Sequence, residues 1–327
     1  MARSSWSSTK KKLPLPDPGY RGRFAPSPTG PLHFGSLVAA VGSYLDAKHH
    51  NGTWLIRIED LDTPRCVPGA ADHILRTLEA FGLVSDEPVL YQCLRAEAYE
   101  EALQRLKNSG IAYPCCCTRK EIADSALHGI EGLVYPGTCR DGIPAGREGR
   151  AWRVRTDLPT KNSLVEFDDA LQGRITQQLE TEIGDFVVKR ADGLFAYQLA
   201  VVVDDAAQGI THVVRGADLL ASTARQIYLQ KLLGLPTPHY MHLPVAVNAA
   251  GEKLSKQILA SAVDSRRPVA ALLQALRFLR QQPPAALAQE SLDNVWEWAI
   301  RHWQPERLCG VLALPAVAEE FADRRDK

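Results

Sequence analysis

Between Arg23 and Ser36 the chain reads Arg-Phe-Ala-Pro-Ser-Pro-Thr-Gly-Pro-Leu-His-Phe-Gly-Ser, a turn crowded with Pro and Gly. It opens directly into an apolar stretch of helical period, Ser36 to Leu45. That order places His33 and backbone N–H groups at a helix N-terminus, where the dipole favours a phosphate. Much later, Lys253-Leu254-Ser255-Lys256-Gln257 sets two lysines in a loop preceded by Gly251. Such a loop suits a triphosphate whose charge grows during phosphoryl transfer. Taken alone, a His-x-Gly turn reads equally well as an ordinary helix entry. The two segments in this order read as a two-part ATP site that activates a carboxylic acid.

The rest of the chain is read around those segments. Gly52 to Ile58 is short, apolar and β-branched, as a buried parallel strand should be, so the chain starts β-α-β. Helices are expected from Ala71 to Phe81 and from Ala96 to Ser109, the latter ended by Gly110. From Pro114 to Gly193 the texture turns to short strands and turns, an inserted α/β or β-rich subdomain. The doubly wound pattern then resumes with a strand over Phe195 to Val203, a turn at Asp204-Asp205, a strand over Thr211 to Arg215 and a helix over Ser222 to Leu233. In that turn the two aspartates either touch water or ribose or serve the backbone. The expected fold is α/β, doubly wound and Rossmann-type, divided as a disordered tail (1–19), first half (20–113), insertion (114–193), second half (194–257) and helical C-terminal region (258–327).

Seven cysteines, three of them consecutive at Cys115, Cys116 and Cys117, do not make a disulfide framework. In a reducing cytosol such a cluster more often binds metal, whereas Cys66, Cys93 and Cys309 are isolated and read as packing. No apolar run approaches the ~18 residues of a membrane helix, and residues 1–19 lack the apolar core of a secretory signal. A cytoplasmic monomer without membrane contact is expected. The formal net charge is zero, so a nucleic-acid partner has to be held by a local basic patch. Arg266, Arg267, Arg277, Arg280, Arg301 and Arg307 offer one. Trp296, Trp298 and Trp303 could stack on exposed bases, although their helical spacing favours core packing.

Arg23 to Gly30, Leu32 to Ser36 and Ile56 to Arg65 (Ile-Arg-Ile-Glu-Asp-Leu-Asp-Thr-Pro-Arg) resemble the catalytic domain of class I glutamyl-tRNA synthetases. Lys253 to Gln257 is similar to that family's KMSKS-type loop, with Leu254 for Met and Gln257 for the last Ser. The stretch from 258 to 327 has no room for the large anticodon-binding region of discriminating members. That short C-terminus, the Lys-Leu-Ser-Lys-Gln loop and the Cys-x-Cys…Tyr-x-x-x-Cys insertion resemble the glutamyl-queuosine branch, whose members attach glutamate to queuosine in the anticodon loop of tRNA(Asp).

The resemblance implies roles residue by residue. Arg23 with Tyr197 would hold the γ-carboxylate of L-glutamate, Glu59 its α-ammonium and Arg215 its α-carboxylate, with Ser27 assisting. ATP, carried with Mg²⁺, would lie along Pro26, Thr29, Gly30, His33, Gly35 and Ser36 and against Lys253, Leu254, Ser255, Lys256 and Gln257. His33, Lys253 and Lys256 would serve the phosphates during catalysis. One structural Zn²⁺ per chain would take Cys115, Cys117, Tyr135 and Cys139, with Cys116 and His128 open as replacements. The implied reaction is activation of glutamate without tRNA, then transfer to tRNA(Asp) containing queuosine. The rival readings are a truncated glutamyl-tRNA synthetase charging a tRNA 3′ end and a non-catalytic tRNA-binding paralogue.

Overall fold

A computed structural model describes residues 19–125, 127–129, 132–158, 163–248, 251 and 262–316. Most of the expected tail and the whole of Lys253 to Gln257 lie outside the described residues. The first half runs β1 (Arg21–Phe24), α1 (Phe34–His49), β2 (Thr53–Ile58), α2 (Ala70–Ala80), β3 (Leu90–Tyr91) and α3 (Ala96–Asn108). The middle runs β4 (Ala112–Cys115), α4 (Arg119–Ser125), β5 (Leu127–Gly129), β6 (Gly132–Val134), β7 (Ala151–Val154), β8 (Leu164–Asp169), β9 (Gly173–Gln178), α5 (Leu179–Glu182) and β10 (Phe186–Lys189). Then follow α6 (Tyr197–Ala207), β11 (His212–Gly216), α7 (Thr223–Leu233), β12 (His239–Leu243), β13 (Val245–Val247), α8 (Pro268–Phe278), α9 (Leu292–Arg301) and β14 (Ala313–Pro315).

β1, β2 and β3 pair in parallel, in that order, and β11 pairs in parallel with β12. β1 and β11 lie side by side, tied by the Thr211 N–H donating to the Arg21 carbonyl (3.0 Å) and the Arg21 N–H donating to Thr211 Oγ1 (2.8 Å). From β1 the chain winds outward through β2 and β3; from β11 it continues away on the other side to β12. The winding therefore reverses between β1 and β11, the place where open α/β sheets bind ligands beyond their carboxyl ends. α1 packs close here: a Cβ on Gly42 would come within 2.4 Å of Leu243 Cδ1.

The middle segment joins both halves. β4, β7 and β10 form an antiparallel sheet, while the β8–β9 hairpin is added to β12 through the pairing of Asp169 with Tyr240. Trp296 and Trp303 are buried in the core with α1, donating to the Phe81 carbonyl (2.7 Å) and to Asp46 Oδ1 (2.9 Å). Trp298 is half-buried and stacks on His302. No helix among the described residues is long and apolar enough to cross a membrane.

One expectation is corrected. Phe195 to Val203 is not a strand, and Asp204-Asp205 is not a turn: both aspartates sit inside helix α6. Five apolar residues in a row do not separate a buried strand from a helix enclosed on all sides, and Leu199 to Val202 are buried throughout. The aspartates belong there because they are neutralised. Asp204 accepts from Gln92 Nε2 (2.9 Å), Arg95 Nε (3.1 Å) and Tyr99 OH (2.6 Å).

Candidate active site

A cavity of about 630 Å³ opens at the carboxyl ends of β1, β2 and β11. It brings together Arg23, Pro26, Ser27, Thr29, His33, Gly35, Ser36, Glu59, Tyr197 and Arg215. Of the site residues expected within the described segments before the cysteine cluster, only Gly30 is not on its lining, and Gly30 holds a positive φ of 138° in the turn beneath it. The volume is in the range of sites that enclose a small ligand.

One wall is built from β1, β2 and α6. Arg23 is buried and lies fork to fork on Asp205, with Nε to Oδ1 3.0 Å and Nη2 to Oδ2 3.3 Å. Arg57, fully enclosed within β2, reaches the same carboxylate at 2.7 Å and Glu59 Oε1 at 3.4 Å. Burial opposes ionisation of Asp205, but the two guanidinium groups outweigh it and hold the carboxyl below the usual range. Glu59 goes the other way: burial raises its pKa despite the pull of Arg57 and Arg23. A cationic group arriving in the cavity would therefore stabilise the ionised carboxylate. Asp205 was read as a turn residue touching water or ribose or serving the backbone, and it instead pairs with two arginines. Arg57 was given no role, although a charged residue inside the apolar strand Thr53–Ile58 is itself a sign of a buried partner.

The opposite wall is built from β11, β12 and α7 around Arg215. All five of its N–H donors are used: Nε to His242 Nε2 (3.0 Å), Nη1 to Gln226 Oε1 (2.9 Å) and Tyr197 OH (3.3 Å), Nη2 to Thr223 Oγ1 (2.8 Å) and the Leu219 carbonyl (3.3 Å). Tyr197 thus contacts Arg215 in this structure rather than Arg23. Burial keeps its phenol protonated by raising its pKa.

At the end of the cavity formed by α1, His33 caps the helix, its Nδ1 accepting from the Ser36 N–H (3.3 Å) while Nε2 lies 3.1 Å from Ser36 Oγ. The first turn of this 16-residue helix carries no acidic residue. It leaves the dipole free to favour an anion.

Away from the cavity, Cys115, Cys117 and Cys139 hold their sulfurs within 4.8 Å of one another. The Tyr135 hydroxyl lies 3.4 Å from both Cys115 Sγ and Cys117 Sγ, and Cys117 Sγ is 3.6 Å from Cys139 Sγ. Tetrahedral zinc with bonds of ~2.3 Å would set sulfur separations of about 3.8 Å, so this donor set fits the ion. Burial opposes a thiolate at Cys139, but the Cys116 backbone N–H, the Tyr135 hydroxyl and the neighbouring thiols bring it down to about 7. Arg153 adds positive charge, donating from Nε to Cys115 Sγ (3.4 Å) with its guanidinium carbon 3.9 Å from the Tyr135 ring centroid. Cys116 Sγ also approaches Cys139 Sγ, at 3.7 Å, while the His128 side chain lies outside the described residues.

A family model described as tRNA synthetases class I (E and Q), catalytic domain, matches residues 20–276. The glutamyl-Q tRNA(Asp) synthetase of Dechloromonas aromatica is 65% identical over 286 residues, covering 87% of this chain and 94% of its own. The chain belongs to the glutamyl-Q tRNA(Asp) synthetase branch of this family. The protein of the same description from Aromatoleum aromaticum is 59% identical, over 88% of this chain and 89% of its own. Among solved structures, the glutamate-tRNA synthetase of Elizabethkingia anophelis superposes with a TM-score of 0.74 at 25% identity, over 92% of this chain and 68% of that one.

A synthetase of this class needs an amino-acid pocket beside a nucleotide site, and the cavity sets charged side chains beside the N-terminus of α1. Arg23, Glu59 and Arg215 were legible through the family resemblance; Arg190 and Asp218, which also line the cavity, were not. His242, Asp169, Gln226 and Thr223, which hold Arg215 from behind, were not, because they come from β12, β8 and α7 and share no local pattern.

Proposed function

We propose that this enzyme activates L-glutamate with ATP and transfers it to queuosine in the anticodon loop of tRNA(Asp). Support comes from its membership of the glutamyl-Q branch over nearly the whole length of its relatives and from a cavity that joins Glu59, Arg23, Tyr197 and Arg215 to the N-terminus of α1. The second of these carries the reading, since Glu59, Arg23 and Arg215 together face a space suited to an amino acid with two carboxylates. Glu59 would take the α-ammonium, Arg215 the α-carboxylate, and Arg23 with Tyr197 the γ-carboxylate, with Ser27 assisting. Arginine suits both carboxylates because its planar fork matches theirs.

In the first step an oxygen of the α-carboxylate attacks the α-phosphorus of ATP in line. The bond to the bridging oxygen breaks, and pyrophosphate leaves with its electron pair. Catalysis rests on positioning and on charge stabilisation by His33, the α1 N-terminus and the lysines of the Lys253–Gln257 loop. Mg²⁺ bound with ATP offsets charge on the triphosphate. In the second step a hydroxyl of the cyclopentenediol of queuosine attacks the glutamyl carbonyl, an ester forms, and AMP leaves. Zn²⁺, held by Cys115, Cys117, Tyr135 and Cys139, would brace the insertion structurally.

Glutamate-dependent ATP–pyrophosphate exchange in protein free of tRNA tests the first step, and transfer of labelled glutamate to tRNA pools with and without queuosine tests the second. Exchange without tRNA and labelling of the queuosine-containing pool alone are expected. Equal labelling of both pools would assign transfer to another acceptor, such as a tRNA 3′ end.

A further inference from the structure

The buried pair Asp169 and His242 has no place in the reaction as described, yet it touches the cavity through one atom of Arg215. Both side chains are fully enclosed, and His242 Nδ1 lies 2.6 Å from Asp169 Oδ2. Asp169 Oδ1 is itself held by the backbone N–H groups of Leu171 (3.1 Å), Gln172 (2.9 Å) and His242 (3.3 Å). A carboxylate with that many donors stays ionised and accepts from His242 Nδ1–H. His242 Nε2 then carries the lone pair that receives Arg215 Nε–H. The order is anion, neutral imidazole, cation, with the tautomer set from behind.

The bonds to Arg215 fall into two groups. Those to Thr223, Gln226 and His242 measure 2.8 to 3.0 Å, and none of these three residues lines the cavity. Those to Tyr197 and the Leu219 carbonyl both measure 3.3 Å, and both residues do line it. Each terminal nitrogen therefore has one short bond directed away from the cavity and one long bond at its edge. A carboxylate entering the cavity would replace the two long bonds and take the fork by both ends.

We propose that Asp169 and His242 are positioning residues that aim the Arg215 fork at the α-carboxylate of the amino-acid substrate. This rests on the reading of the cavity as a glutamate site. The β8–β9 hairpin, which also closes onto β12, is then a support of the amino-acid pocket as well as part of the inserted segment.

The test is exchange kinetics on His242→Ala, His242→Gln and Asp169→Asn, alongside binding of 4-aminobutyrate, which has the ammonium and distal carboxylate of glutamate but no α-carboxylate. A lost hydrogen bond to a charged group should raise the glutamate KM of His242→Ala about ten- to hundredfold with the ATP KM nearly unchanged. His242→Gln keeps an acceptor for Arg215 Nε and should recover most of the loss. Asp169→Asn can donate to Nδ1, driving the imidazole proton onto Nε2 against Arg215, and should resemble His242→Ala. The 4-aminobutyrate affinity should stay at the wild-type value in all of them. If His242→Ala does not fold, the same comparison is made with the other two. Variants that lose glutamate and 4-aminobutyrate alike, or that melt earlier with unchanged kinetics, would overturn the proposal. Wild-type protein without glutamate-dependent exchange would instead sink the glutamate reading itself.

Discussion

The two walls of the cavity solve the burial of arginine differently. On the β1–β2 side Arg23 and Arg57 share Asp205 at 3.0 and 2.7 Å, with Glu59 beside them, so the charges balance before any ligand arrives. On the β11–β12 side the five hydrogen bonds of Arg215 all run to neutral groups, and the carboxylate of Asp169 stands one residue further back behind His242. A desolvated cation with only neutral contacts costs folding free energy. It is also a preorganised site for the charge that a substrate brings. The first wall pairs its cations with carboxylates of the protein, and the second leaves its cation on neutral partners alone.

The largest effect on activity should follow removal of the second wall's charge. Arg215→Ala should lower glutamate-dependent exchange by the ~2–5 kcal/mol expected for truncating a buried charge partner, with the ATP KM little changed. An equal loss of ATP and glutamate affinity would break the contrast between the walls. On the first wall Asp205→Asn should act mainly on stability. Breaking a buried pair costs about 3–5 kcal/mol because the partner charges stay behind, and thermal melting with matched exchange kinetics checks the division. Arg23→Ala falls between, weakening glutamate more than ATP and by less than Arg215→Ala, as measured by the two KM values.

The cysteine cluster gives a control outside both walls. Metal analysis of protein purified without chelators should find one zinc per chain, and Cys139→Ala should lose it and melt earlier while the glutamate KM holds. Zinc-free wild-type protein would remove the ion from the account.

A smaller effect separates the walls by pH. Burial holds His242 below the usual imidazole range even though the Asp169 hydrogen bond pulls it up. Burial opposes ionisation of Asp169 and Asp205, but their hydrogen bonds and ion pairs lower both. All three bind a proton less readily folded than unfolded. The stability they confer is complete above their unfolded pKa values, about 6.5 and about 3.9, and is lost as the pH falls through the folded ones. Melting temperature should decline below about pH 6.5 and again below about 4, and His242→Gln should remove only the first decline. The smallest effect belongs to the surface. Arg277 and Arg280 are exposed, Arg280 and Arg307 donating to each other's carbonyls. Charge reversal at both should raise the tRNA KM and lower its salt dependence while exchange stays intact.

Local pattern was enough for the β-α-β start, the helices α2, α3 and α7 and the helical character of the C-terminal region, which are set by short-range periodicity and turn chemistry. The residues of the cavity came from the family resemblance. Periodicity was not enough for Tyr197 to Ala207, because an apolar run enclosed on every side looks alike as strand or helix. Only the tertiary structure decided that Asp205 sits under Arg23, that Tyr197 leans on Arg215, and that Asp169 and His242 meet across 73 residues. The physical reason is that burial obliges each charge to find a partner, and the partner is chosen by which strands and helices lie side by side, a choice that no neighbouring residue in the chain records.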